Sequence, residues 1–279
     1  MKITFVGRVL MSFNKMNGTS KTGGSIFNIL ENLTHLMSPS EMTLICPLSD
    51  DSNGQKIMED ISFLNINFYP FHISKTPTIT YVSQNEIDFQ LYELEKEFIV
   101  DKIKTYTDKI KDSEIFVVDL QSPETIKYLQ KISPKAIFVV VVSSRYLVNN
   151  LELISFKKSI IKFTRAEASS YCLHPIKDMQ DCYEVEEILK RKGINSAIIT
   201  LDRDGCFYFD NMQSGFHKAE VITDKKYFTA GDAFVSGMIY ALRITKDISI
   251  LAKQGIEKSA NSIKKEINAN FLKIQGNNK

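Results

Sequence analysis

The chain has 279 residues, with 35 Lys and Arg against 33 Asp and Glu, a net charge of +2 and 24% charged residues. That length suits one large α/β domain with a substantial core, and so balanced a charge argues against a nucleic-acid-binding surface or an acidic tail. The longest apolar run, Ala136 to Val142, is far too short to span a bilayer, and the N-terminal apolar segment broken by Arg8 is not a secretory signal, so a cytoplasmic location without a membrane partner follows by default.

Ile3 to Val6 predicts a short buried strand, and Arg8 to Lys21 reads as polar and loop-like. Gly23-Gly24-Ser25 then precedes Ile26, Ile29, Leu30, Leu33 and Leu36 at helical spacing, with Ser25 the natural cap and Asn28 and Asn32 on the other face. A double glycine before a helix allows close backbone approach to a ligand, although it also makes a simple tight turn. Met42 to Cys46 is a second strand, and Asp50-Asp51-Ser52-Asn53-Gly54 suits a solvated loop and helix start better than a metal site. Asn67 to Ile73 and Thr78 to Ser83 are β-rich, with a turn around Asn85, and predict a small antiparallel excursion from the main sheet.

From Tyr92 the chain alternates: a helix to Ile110, the strand Ile115 to Val118, a helix after Pro123 and the strand Ile137 to Val142. A helix near Tyr146 to Ile154, the strand Ile160 to Phe163, a helix from about Glu167 and another from Cys182 to Lys192 follow. Strand Ala197 to Leu201 turns through Asp202-Arg203-Asp204-Gly205 into Cys206 to Phe209, a hairpin signature. Strands separated by helices and apolar on both faces predict a mainly parallel sheet covered on both sides. No repeat, linker or second domain divides residues 1–279. Cys46, Cys172, Cys182 and Cys206 form no CxxC pair, and Cys172, His174 and Cys182 fit no standard zinc spacing, so they read as reduced core thiols. The lysines after Lys253 form a solvated face rather than a phosphate patch.

The stretch from Phe228 to Leu242 is a small-residue turn entering an apolar helix. Ala233, Gly237 and Ala241 recur at helical spacing beside Phe234, Met238 and Leu242, so this helix is buried. Its one carboxylate, Asp232, belongs at the N-terminal end, where free N–H groups and the helix dipole favour negative charge. The stretch alone leaves open whether Asp232 is a cap or a catalytic acid or base.

No Walker loop, GxGxxG, GxSxG or HExxH occurs. What remains is Gly23-Gly24, Thr164-Arg165-Ala166-Glu167 and Ala230-Gly231-Asp232, three strand-following segments that an open α/β sheet brings to one crevice. Here the sequence resembles the ribokinase-like (PfkB) family of carbohydrate and nucleoside kinases. Thr229-Ala230-Gly231-Asp232-Ala233-Phe234 is similar to its GAGDAF signature, and Gly23-Gly24 with Asn28 to its GG-xxx-N substrate signature. Ile161 to Ala168 is similar to its KPNxxE segment, and the turn after Thr200-Leu201 to its nucleotide loop. Within the family, GGxxxNxxENL, Pro77 to Tyr81, Ser122 to Thr125, Arg165 to Ala168 and Ile267 to Asn270 echo pseudouridine kinases.

The resemblance implies a three-layer α/β/α fold with a β lid from parts of 8–21 and 66–91, and transfer of a phosphoryl group from ATP to a primary hydroxyl of a sugar or nucleoside. It makes Asp232 the general base, with the N–H groups around Ala230, Gly231 and Asp232 stabilising the phosphoryl charge. Gly23, Gly24, Asn28 and Ser12 fall at substrate positions, Thr200, Asp202, Gly205 and Thr229 at ATP positions, and Glu167 at a Mg²⁺ position; a monovalent cation and a homodimer through the lid are further expectations. Ser12 stands in place of an aspartate, at a cost of about 1 kcal/mol of acceptor binding. Val140-Val141 replaces Asp-Pro, Thr164 replaces an asparagine, and Asp202 replaces a glycine, its charge offset by Arg203. Thr229 replaces the first glycine of GAGD; positive φ there would cost about 1–2 kcal/mol, so negative φ is expected. These departures admit a rival, a ribokinase-fold sensor or scaffold that binds a nucleoside or nucleotide without turnover, while retained Asp232, Gly231 and Glu167 favour the enzyme. A Rossmann-type oxidoreductase is disfavoured by the absent glycine fingerprint.

Overall fold

A computed structural model describes residues 1–14, 18–76, 78–81, 87–88, 100–119, 123–142, 151, 158–220, 222 and 230–276. The chain opens with β1 (Ile3–Gly7), in which every residue is buried. Strands β2 (Leu10–Asn14) and β3 (Thr19–Gly23) form an antiparallel hairpin, so much of the segment expected as loop from Arg8 to Lys21 is strand. The β3 sequence Thr-Ser-Lys-Thr-Gly has no strand pattern and its first three residues are exposed; the ladder to β2 makes it a strand, overriding its residues' weak propensity. Helix α1 (Ser25–Thr34) has Gly24 at its cap with φ 95° and no capping side chain, so Ser25 is the first helical residue and not the cap.

Strand β4 (Met42–Leu48) is wholly buried, and α2 (Ser52–Ser62) starts on Asp51, whose carboxylate accepts from the Gly54 N–H at 2.7 Å. Strand β5 (Asn67–His72) joins β4 in parallel at the main sheet's edge, and only β6 (Thr78–Tyr81) and β7 (Ile87–Asp88) leave that sheet. The excursion is therefore shorter than expected and not purely antiparallel, for β6 pairs in parallel with β2. The helix expected up to Ile110 is, in its described part, two short pieces, α3 (Val100–Lys104) and α4 (Thr107–Ile110).

The remaining elements are β8 (Ile115–Asp119), α5 (Pro123–Ile132), β9 (Ile137–Val141), β10 (Ser159–Thr164), α6 (Arg165–Cys172), α7 (Met179–Arg191) and β11 (Ala197–Thr200). A 3-10 turn (Asp202–Asp204) leads to β12 (Gly205–Phe209), followed by β13 (Ser214–Lys218), α8 (Ala230–Ala241) and α9 (Ile248–Gly276). The helix expected from Tyr146 to Ile154 is described only at Leu151, and the turn at Asn85 and the φ of Thr229 lie outside the described residues.

Nine strands form the main sheet in the order β13-β12-β11-β10-β9-β8-β1-β4-β5, parallel except for β12 and β13. A second sheet has the order β3-β2-β6-β7. Alternate residues of the main strands feed two cores: Ile115, Val117 and Val139 join α1, α2, α8 and α9 on one face, while Phe116, Val118 and Val140 join α5, α6 and α7 on the other. The result is a three-layer α/β/α architecture. From β1 the chain first steps outward to β4 and β5 and later returns to the other side as β8, so β1 marks the switch point, where an open sheet leaves a crevice beyond its strand ends.

Helix α8 is buried on nearly all sides because its small residues admit close neighbours. A Cβ on Gly237 would stand 2.5 Å from the Gln254 carbonyl oxygen and 2.7 Å from Lys258 Cβ, both in α9. Backbone cannot yield as a flexible side chain does, so Gly237→Ala overpacks this contact. Its helix-propensity gain offsets part of that, and we expect a net destabilisation of about 1–2 kcal/mol in chemical denaturation.

Candidate active site

The N-terminal turn of α8 opens beside the switch point, against α1. Asp232 is the third residue of α8, so it does not occupy the N-cap position. Its carboxylate instead accepts a 2.7 Å hydrogen bond at Oδ2 from Asn28 Nδ2 of α1, and a further one from the Ser25 side chain. Loss of solvation pushes the Asp232 carboxyl above the ordinary carboxylate range, opposed by the Asn28 hydrogen bond, the positive charge of Lys162 and the Ser25 hydrogen bond, while the charge of Asp119 adds to the rise. Asp119, ending β8, faces the guanidinium of Arg8, just past β1, at 3.6 Å; both are buried. Lys162, in β10, is 5% exposed, and a Cβ on Gly231 would lie 3.7 Å from its Nζ.

Ser12 and Gly23 meet across the β2–β3 hairpin: a Cβ on Gly23 would stand 2.5 Å from Ser12 Oγ. Gly24 has φ 95°, with the Arg8 carbonyl oxygen 3.1 Å from where a Cβ would be, so the chain can enter α1 here only as glycine. Gly23, Gly24 and Ser12 thus lie at the entry to the helix that carries Asn28.

A second group sits beyond β10 and β11. Thr164 and Glu167 form a capping box on α6: Glu167 Oε2 accepts from the Thr164 N–H at 2.6 Å, and Thr164 Oγ1 accepts from the Glu167 N–H at 3.3 Å. Thr200 pairs in register with Thr164 and donates its hydroxyl to the Phe163 carbonyl at 3.3 Å. Asp202 has φ 55°, a left-handed conformation natural to glycine. Its charge, and that of Asp204, is met by Arg165, which hydrogen-bonds Asp204, donates to the Leu201 carbonyl at 2.9 Å and lies 3.9 Å from Asp202. Arg165 of α6 thus offsets charge in this turn, beside the Arg203 of the turn itself. Gly205, with φ 121°, is required by strand pairing, since a Cβ would fall 1.9 Å from the His217 carbonyl oxygen. Val140 and Val141 are buried and apolar in β9, and Thr229 lies outside the described residues.

Away from the cleft, His174 lies 3.5 Å from Asp181 and 3.2 Å from Glu184, while all four cysteines are free and buried. Sequence reasoning did not single out Arg8, Ser25, Asp119 or Lys162 as site residues. The available signal was a charged residue at the C-terminal end of an otherwise apolar strand, seen at Arg8, Asp119 and Lys162.

An open α/β sheet with a carboxylate at a helix N-terminus beside its switch point is the frame of a ribokinase-like kinase. The profile of the pfkB family carbohydrate kinases matches residues 11–272, and the chain belongs to that family, whose members are ATP-using phosphotransferases acting on sugars or nucleosides. The fold is similar to ribokinase from Giardia lamblia, with a TM-score of 0.76 at 16% identity over 92% of this chain and 91% of that one. It is also similar to a Vibrio cholerae fructokinase in a fructose-, ADP- and calcium-bound form, with a TM-score of 0.72 at 13% identity over 93% and 90% of the chains. Adenosine kinase from Sinorhizobium meliloti gives 0.71 at 14% identity over 93% and 92%. No curated protein matches the sequence significantly. No helix among the described residues is long and apolar enough to cross a membrane.

Two outcomes follow from the geometry. The native Asp232 carboxyl keeps its proton to higher pH than in the unfolded chain, so its ionisation costs stability as pH rises from the ordinary value of 3.8 through the raised one. Asp232→Asn therefore raises the melting temperature at neutral pH, and the gain shrinks as the medium is acidified, as thermal denaturation across pH will show. Asp202→Gly relieves left-handed strain and stabilises by about 1 kcal/mol, measured by denaturant titration.

Proposed function

We propose that this kinase transfers the γ-phosphoryl group of ATP to a primary hydroxyl of a sugar or nucleoside, with Asp232 as general base. The observation that carries the assignment is the 2.7 Å hydrogen bond between Asn28 and Asp232, which joins the acceptor-side helix α1 to the N-terminus of α8. The acceptor oxygen attacks the γ-phosphorus, the bond to the β,γ-bridging oxygen breaks, and ADP leaves with that electron pair. The hydroxyl proton passes to Asp232, whose upward-shifted carboxyl suits a base working nearer neutrality. N–H groups of Ala230, Gly231 and Asp232, in the first turn where no intrahelical partner exists, stabilise charge on the phosphoryl group.

Gly23, Gly24, Asn28 and Ser12 bind the acceptor, and the sheet β3-β2-β6-β7 serves as its lid, with an exposed edge open to a second copy. Pseudouridine is the leading acceptor on the GGxxxNxxENL pattern, and the neutral Ser12 in place of an aspartate favours an acceptor gripped less by charge. Thr200, Asp202, Gly205 and Thr229 border the nucleotide, and a monovalent cation is part of this assignment. Glu167 fits a role toward Mg²⁺ held largely by phosphates and water: its Oε2 accepts in the α6 cap, and its carboxylate would hold the ion through a water. The ion, when bound, neutralises phosphate charge.

The test is ADP release with Mg-ATP over a panel of nucleosides and sugars, comparing wild type with Asp232→Asn. We expect turnover on at least one acceptor and a loss of about 10²–10⁴-fold in kcat for the variant. Turnover untouched by the substitution would reject the base, and tight nucleoside binding without turnover would favour the sensor.

A further inference from the structure

Where α6 hands over to α7, at the end of α6 remote from Glu167, three side chains with metal-binding atoms face one another. Asp181 and Glu184 stand one turn apart on the same side of α7, and His174 comes from the connection that precedes it. His174 Nε2 lies 3.5 Å from Asp181 Oδ1 and 3.2 Å from Glu184 Oε2, and one ligand atom of each residue falls within 4.8 Å of the others. A zinc ion bound at about 2.0–2.1 Å in a tetrahedron sets its ligand atoms about 3.3–3.4 Å apart. The two distances from the ring nitrogen bracket that spacing.

Hydrogen bonding does not account for the approach. Nε2 is shut off from solvent and neither oxygen is aligned to bond it, so a buried ring nitrogen aimed into the group lacks the partner such an atom ordinarily has. The prospective ligands are also held from behind. Oδ2 of Asp181 accepts from the Lys177 and Asp178 N–H groups at 2.6 and 3.2 Å, which fixes the carboxylate with Oδ1 toward His174. The His174 N–H donates to the Ser169 carbonyl at 3.1 Å and the Ile176 N–H to Ser169 Oγ at 3.1 Å, tying the connection to α6. The positive end of α7 is offset by Asp178, whose carboxylate accepts from the Gln180 and Asp181 N–H groups at 2.8 and 3.2 Å. The neighbouring thiols of Cys172 and Cys182 are buried, and Cys182 Sγ donates to the Asp178 carbonyl at 3.5 Å.

We propose that His174, Asp181 and Glu184 form a binding site for a divalent transition-metal ion of the zinc type, with water completing its shell. A neutral imidazole and two carboxylates supply two negative charges, which one such ion cancels. The imidazole selects zinc over magnesium or calcium, which prefer oxygen ligands. Glu184, half exposed at the rim, leaves the ion a path in from solvent. Bound there, the ion clamps the start of α7 to the connection from α6. The site is separate from the cleft and independent of the kinase assignment.

The experiment titrates the chelator-stripped full chain with Zn²⁺ by calorimetry, for wild type, His174→Ala, Glu184→Gln and the control His72→Ala, whose ring meets the carboxylate of Asp50 elsewhere on the surface. Wild type and His72→Ala should bind one ion per chain, and His174→Ala and Glu184→Gln should bind it at least about tenfold more weakly. Zn²⁺ should raise the melting temperature of the first two and leave that of the others unchanged. Co²⁺ in place of Zn²⁺ should give wild type the intense visible absorption of a four-coordinate ion, and His174→Ala should lack it. A wild type that binds no Zn²⁺, or binds it equally well once His174 or Glu184 is replaced, would overturn the site and leave only an ion pair between a protonated imidazole and two carboxylates. Loss of binding in His72→Ala alone would overturn it as well. Should His174→Ala fail to fold, Glu184→Gln, altered at a half-exposed position, is judged by the same ratio of affinities.

Discussion

A carboxylate that is to accept a proton must be withdrawn from bulk water without being neutralised by a tight ion pair, and the site depends on how Asp232 is held between those limits. Burial raises its pKa, while Asn28, Lys162 and Ser25 restrain the rise. Two of these three partners come from α1, so the chemistry depends on α1 and α8 staying in register side by side. That in turn needs the glycines that let the elements approach. A Cβ at Gly7 would strike the Ile26 side chain at 2.4 Å, and one at Gly237 would strike the backbone of α9, so close packing sets α1 against β1 and α8 against α9.

The sheet supplies the remaining charges by one rule. Arg8 follows β1, Asp119 ends β8 and Lys162 lies two residues before the end of β10, and these strands are otherwise apolar because both faces are covered by helices. The charged groups lie where these strands run out, while the uncharged polar residues Thr4 and Ser159 are buried elsewhere in them. At the strand ends Arg8 lies 3.6 Å from Asp119, and both Lys162 and Asp119 act on Asp232, the first opposing and the second adding to the rise of its carboxyl. Around half-buried Asp232 stand the buried Lys162 and the buried Arg8 and Asp119, with valines at 140 and 141 and a threonine at 164 where a metal cage would need oxygen-rich side chains.

The main sheet was legible because parallel, doubly covered strands are short apolar runs, and Ile115 to Val118 or Ala197 to Leu201 cannot be anything else in a chain of this alternation. The hairpin β2–β3 was not legible, since Thr19 to Gly23 owes its conformation to a ladder with Leu10 to Asn14 and not to its own residues. The parallel joining of β5 to β4 was hidden for a related reason: partner and direction are decided by the crossover, and the strand's own sequence is silent on them. Asp232 was legible as the lone carboxylate entering a buried helix, and the structure adds that Asn28 touches it. Ser25 looked like a cap because serine before an apolar helix usually is one; the left-handed Gly24 took that position and turned the hydroxyl toward Asp232. Lys162 was read only as part of the segment similar to KPNxxE, without a role, because periodicity locates cores and does not show that a lysine is buried.

The same logic ties the two ends of the site together. Helix α6 begins with Arg165 and, two residues on, Glu167, and the two side chains are held by different means. The capping box fixes Glu167 against Thr164, while Arg165 reaches away to the Leu201 carbonyl and to Asp204, pinning the turn that holds left-handed Asp202. A turn with two aspartates would otherwise repel a triphosphate, and the guanidinium cancels much of that charge at its source. Because one helix start orients both the carboxylate proposed for the metal and the turn proposed for the nucleotide, and β10 carries Lys162 just ahead of it, displacement of α6 would move three parts of the proposed site together. The unusual residues at 164 and 202 are thus accommodated by local contacts that leave the geometry around Asp232 intact.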